Sequence, residues 1–82
     1  MDDKKKQIID IISSILEKKL RDDDFLKPLE ELNFDSIIFI RIIVQCETQF
    51  DFEFEDSMLL MSKYSDLNEF ISYILTQKGD KK

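Results

Sequence analysis

The sequence predicts an all-α fold: a small bundle of three main helices plus one short helix, with a long first loop. Three observations lead there. Apolar residues recur at helical spacing in three separate segments. The one stretch that alternates like a strand, Phe50-Asp51-Phe52-Glu53-Phe54-Glu55, has no second convincing strand to pair with. A chain of 82 residues makes one domain, expected over 1–82 with 1–4 and 78–82 as frayed tails. Such a chain buries roughly 60% of its unfolded surface, enough for a few stacked helices but not for a deep catalytic cleft.

The first helix is expected over 5–20. Ile8, Ile11, Ile12, Ile15 and Leu16 share a face, and Leu20 extends it. Asp2 and Asp3 suit the positive N-terminal end of a helix dipole, and Lys18, Lys19 and Arg21 the negative end. Residues 21–34 form the long loop. Asp22-Asp23-Asp24 and Pro28 break the periodicity, while Phe25, Leu26, Leu29 and Leu32 are apolar enough to pin the loop over the core. Leu29-Glu30-Glu31-Leu32 reads as one short helical turn.

From Ile37 to Phe50 there is neither Gly nor Pro. At 100° per residue, Phe39, Ile42, Ile43, Cys46 and Phe50 form one apolar face. Ile37, Ile40 and Val44 fall nearly opposite, with Arg41 and Thr48 beside them. A helix in a small bundle needs one apolar face, so the second is either covered by another part of the chain or left open to a partner.

After this helix, a lone extended segment is expected to turn Phe50 and Phe54 inward. Its acids invite comparison with a calcium loop, but Asp56 stands where such a loop needs Gly and Ser62 where it needs Glu. A short helix is expected within 56–63, burying Met58, Leu59, Leu60 and Met61. The last helix starts near Ser65 or Asp66, capped by Asp66 with Glu69. Leu67, Phe70, Ile71, Ile74 and Leu75 form its stripe, and Gly79 suits its stop.

The net charge is −6, unevenly placed. Residues 21–66 hold twelve acids against four bases, whereas the two ends together hold eight bases against six acids. An acidic middle argues against nucleic acid as a partner and fits proteins with basic surfaces, or simply a solvated face. The single cysteine, Cys46, packs on the core stripe and fits a reducing compartment. No signal peptide or membrane-spanning run is visible, so a cytoplasmic location is expected. There is no histidine, no Gly-rich loop and no cysteine–histidine pair, so an enzyme acting alone is not expected.

An Asp-Ser pair before an apolar run is an ordinary helix start. Here more surrounds it. Leu32-Asn33-Phe34-Asp35-Ser36-Ile37, followed by an apolar helix ending in Glu47-Thr48-Gln49-Phe50-Asp51, resembles the acyl and peptidyl carrier proteins, whose usual pattern is Leu-Gly-x-Asp-Ser-Leu. Asn33 replaces the Gly and Ile37 the Leu. The stretch Ser65-Asp66-Leu67-Asn68-Glu69-Phe70-Ile71-Ser72-Tyr73-Ile74 resembles the last helix of that family, so the resemblance covers nearly the whole chain. The region before it is slightly longer than is usual there.

The resemblance implies a carrier and not an enzyme. A phosphopantetheinyl transferase would move 4'-phosphopantetheine from coenzyme A to Ser36, and the terminal thiol would hold an acyl or aminoacyl group as a thioester. It also implies a loading enzyme (an adenylating enzyme or an acyltransferase), downstream synthases or condensing enzymes, and a monomeric carrier. Asp35 would contact the transferase or cap the helix. Ile37, Ile40, Arg41, Val44 and Glu47 would form the face that partners read. Carriers of bacterial fatty-acid synthesis are typically acidic along this helix, whereas Arg41, Gln45, Thr48 and Gln49 leave Glu47 as its only acid. The expectation is therefore a free-standing carrier for peptide or polyketide assembly. A fatty-acid carrier comes second and a D-alanyl-type carrier third. The alternative from another class is an unmodified helical adaptor that binds protein through Ile37, Ile40 and Val44.

Overall fold

The computed structural model describes residues 3–77. They form three α-helices, α1 (Asp3–Leu16), α2 (Ser36–Phe50) and α3 (Leu67–Leu75), joined by loops that contain four 3-10 turns and, among the described residues, no strand. The expected all-α bundle is what forms.

α1 buries Ile8, Ile11 and Ile12, as their spacing requires. It differs from expectation at both ends. Asp3 and Lys4, placed in a frayed tail from sequence, belong to its first turn, and the Lys4 ammonium donates to the Gln77 carbonyl at 3.1 Å. The helix stops at Leu16, not at residue 20. Glu17 turns left-handed (φ 58°) and the Lys18 N–H closes back on the Ser13 carbonyl at 3.1 Å. Leu20 reaches the core from the loop instead.

Beyond α1 the loop closes around Asp24, which is almost fully buried. Its carboxylate accepts from the Arg21 N–H at 3.0 Å and from the Lys27 ammonium at 3.2 Å, with the Lys18 ammonium at 3.6 Å. The Lys27 carbonyl in turn accepts from the Leu67 N–H at 3.1 Å, tying the loop to the start of α3. Leu29 and Leu32, in the 3-10 turn that their spacing suggests, are fully buried. Leu26 is 69% exposed, not pinned inward, because the turn at Asp22–Leu26 spends its buried position on Asp24.

The backbone N–H of Arg21 holds the Asp24 carboxyl below its usual range, against the opposing effect of burial, and Lys27 and Lys18 add to the lowering. A carboxylate with a lowered folded pKa stabilises the fold above the unfolded pKa and loses that contribution as pH falls through the folded value. The Asp24 contribution is therefore complete at neutral pH and is lost on the acid side of 3.8. Urea midpoints taken from neutral pH down to about pH 3 should fall more steeply for the parent than for Asp24→Asn.

The segment after α2 runs extended with Phe52 and Phe54 buried and Phe50 half-buried; the expected inward pair was Phe50 and Phe54. It needs no partner strand because its donors are met elsewhere. The Phe52 N–H reaches the Glu47 carbonyl (3.3 Å), the Phe54 N–H the Glu47 carboxylate (2.9 Å), and the Glu55 N–H the Tyr73 hydroxyl (3.2 Å). The expected short helix within 56–63 is instead two 3-10 turns, Asp56–Met58 and Met61–Lys63, which leave Leu60 at 56% exposure. Tyr64 closes them by donating its buried hydroxyl to the Met58 carbonyl at 2.7 Å.

α3 starts where expected. Asp66 Oδ1 accepts from the Glu69 N–H (2.9 Å), satisfying a donor that the helix start leaves free, and Glu69 Oε1 accepts from the Ser65 N–H (3.1 Å), holding the residue before the cap. Leu67, Phe70, Ile71 and Ile74 are buried, while Leu75 lies at the edge. The helix ends at Leu75, and the expected stop at Gly79 lies, with tail residues 1, 2 and 78–82, outside the described residues. Phe70 is the centre of the core. Its ring lies 5.0 Å from Tyr64, 5.6 Å from Phe39, 6.1 Å from Phe34 and 6.2 Å from Phe54.

Candidate functional site

The start of α2 is set by three consecutive choices. Asn33 ends the preceding 3-10 turn in the left-handed region (φ 69°, ψ 22°). Few residues other than Gly enter it cheaply, and Asn is one of them. Phe34 then anchors the chain against Phe70, and Asp35 caps α2: its Oδ1 accepts from the Ile38 N–H at 2.8 Å, while its carbonyl accepts from Phe39 at the same distance. Asn33→Ala should cost about 1 kcal/mol through left-handed strain. Asp35→Ala should cost about as much through the lost cap, read from urea midpoints.

Because Asp35 does the capping, Ser36 is left over. Its side chain is exposed and makes no hydrogen bond among the described residues. A primary hydroxyl thus stands in water at the first position of a well-anchored helix. The helix start also leaves N–H groups without intrahelical acceptors, an environment that tolerates a negatively charged substituent. These residues fit a phosphate ester on Ser36: nothing competes for the oxygen, and no buried group is displaced.

The structure leaves the second apolar face of α2 open. Ile37 is 71% exposed, Val44 53% and Ile40 45%, and Arg41 is exposed among them. Ile37, Arg41, Val44 and Thr48 follow one another at steps of four, three and four, which lines them up along the helix. Glu47 stands apart from the other residues expected on this face. It is half-buried, and its carboxylate is committed to the Phe54 N–H. The signal that could have found this was the unpaired extended segment, whose donors had to end on something.

Cys46 is fully buried, and burial, with the Glu47 charge adding, pushes its thiol up to about 12. It is a packing residue and no nucleophile at neutral pH. A surface groove lined by Gln7, Asp10, Ile11, Ser14, Gln45 and Gln49 lies between α1 and the far half of α2, and Ser36 takes no part in it. Among the described residues no group of acids and cysteine could hold a metal ion. None of their helices is long and apolar enough to cross a membrane.

Comparison with known proteins places the chain in a family. The family model described as "Phosphopantetheine attachment site" matches residues 6–74. A curated protein of Mycoplasma pneumoniae, described as an acyl carrier protein homolog, is 35% identical over 54 residues, which are 65% of this chain and 64% of the relative. The match thus spans just under two thirds of that relative's length. No solved structure matches the chain.

Proposed function

The chain belongs to the phosphopantetheine attachment-site family, whose prosthetic group is covalent 4'-phosphopantetheine, and from that premise we propose that it carries acyl or aminoacyl intermediates as thioesters on an arm attached to Ser36. The observation that carries this reading is the exposed Ser36 hydroxyl at the head of α2, released from capping by Asp35. Bound there, the arm supplies a thiol on a long tether. In the attachment step the Ser36 oxygen bonds to the phosphorus of coenzyme A as the pyrophosphate link breaks. Adenosine bisphosphate leaves, and the hydroxyl proton passes to the transferase. This chain contributes the nucleophile and its placement, and its partners supply the catalysis.

The pathway proposed is of the nonribosomal peptide or polyketide type, in the cytoplasm, with an adenylating enzyme or acyltransferase as loader. Support comes from α2, whose exposed side offers Arg41 and no free acid. A fatty-acyl carrier is the second reading, and the acyl carrier protein homolog of M. pneumoniae favours it. The test is loading. The modified protein is offered to amino-acid-adenylating enzymes, to polyketide-type acyltransferases and to a fatty acyl–acyl carrier ligase. Hydroxylamine-labile mass gains are then followed. Gains from either of the first two groups support the proposed pathway; gains from the fatty acyl ligase alone support the second reading.

A further inference from the structure

Arg41 gives the open face of α2 a charge requirement. The helix Ser36–Phe50 holds two charged residues, Arg41 and Glu47. Glu47 is turned inward onto the Phe54 N–H. Arg41 is exposed, and the positions three and four residues away are Ile37, Ile38, Val44 and Gln45, so its own helix gives it no acid. Among the described residues both ion pairs belong to Asp24. The guanidinium therefore stands unneutralised along the edge of the apolar strip Ile37–Ile40–Val44, on a protein whose net charge has the opposite sign.

A partner surface wide enough to cover the strip also comes to lie over Arg41 at its edge. Covering it with apolar surface alone leaves a buried unpaired charge, and covering it with a basic surface adds repulsion; both are heavily disfavoured. A carboxylate meets the planar guanidinium with two parallel hydrogen bonds. We propose that Arg41 selects the enzymes that dock on α2, admitting protein surfaces that are apolar at the centre and place an Asp or Glu against it. The inference rests on the carrier reading and adds the chemistry of the partner. The overall acidity guides approach at long range, whereas Arg41 acts only at contact.

The test uses two phosphopantetheinyl transferases, one with an acidic and one with a basic carrier-docking face. Each modifies the full chain and its Arg41→Glu and Arg41→Gln variants, and kcat/KM comes from intact mass against time. Urea midpoints should be alike in all three proteins, since Arg41 makes no internal ion pair among the described residues. The expected result is a reversal: Arg41→Glu loses about tenfold or more with the acidic-faced enzyme and gains with the basic-faced one, with Arg41→Gln between. Rates that stay within twofold for both enzymes, or that fall equally for both, overturn the proposal. If the parent takes no adduct from either enzyme, the carrier reading itself has failed, and this inference falls with it. That result differs from one in which the parent is modified but ignores the charge at position 41.

Discussion

Ser36→Ala should abolish modification by coenzyme A and a phosphopantetheinyl transferase while leaving the fold as stable as before. The two halves of this expectation have separate causes. Loss of modification is complete because the oxygen that forms the new bond is gone, and the buried Cys46, with its thiol pushed up to about 12, offers no substitute. Stability holds because the cap comes from Asp35, not from Ser36. Alanine is also the better helix former, so the urea midpoint should move by less than about 0.5 kcal/mol. A variant that fails to fold would place Ser36 in the structure and not in the chemistry. A variant that keeps every partner and every activity would favour the adaptor reading, which needs Ile37, Ile40 and Val44 but not the hydroxyl.

Phe70→Ala should have the largest effect on stability of any single change. Phe70 is fully buried and touches rings from the first loop, from α2, from the extended segment and from the stretch before α3. Truncating a buried Phe costs about 3–5 kcal/mol through lost burial and the cavity left behind. At roughly 0.05–0.15 kcal/mol per residue, a domain of this size has about 4–12 kcal/mol in all, so the loss takes a large share of it. The urea midpoint should fall steeply. Phe70→Leu, which refills much of the space but forfeits the edge-on ring contacts, should lose on the order of 1–2 kcal/mol. An unchanged midpoint for Phe70→Ala would contradict the core described above.

These two positions also show where sequence is legible. Phe70 could be placed because it lies in a segment with strong periodicity, which decides the side that faces the core, whereas Ser36 was singled out by the resemblance of its surroundings to a known motif. Asp66 with Glu69 was legible because a cap involves only near neighbours. The misreadings share a different cause. α1 stops at Leu16 because Glu17 turns left-handed and the Lys18 N–H closes on the Ser13 carbonyl, while Lys18 goes on to meet Asp24; none of this shows in a periodicity. Residues 56–63 form turns too short to carry a period, so Leu60 was expected inside and lies outside. Glu47 was expected on the docking face from the family resemblance, as the only acid of this helix. Its inward turn follows from the needs of Phe54, seven residues on.

The central claim, that Ser36 bears the arm, has a direct test in the parent protein. After reaction with coenzyme A, magnesium and a broad-specificity phosphopantetheinyl transferase, trypsin should release residues 22–41 in one piece, since the bond before Pro28 resists cleavage and the next site is Arg41. That peptide holds one hydroxyl side chain, Ser36, and no thiol. Its mass should rise by a single phosphopantetheine, with the remaining peptides unchanged. An adduct on any other peptide, or none on a protein that gives a normal urea transition, would contradict the account.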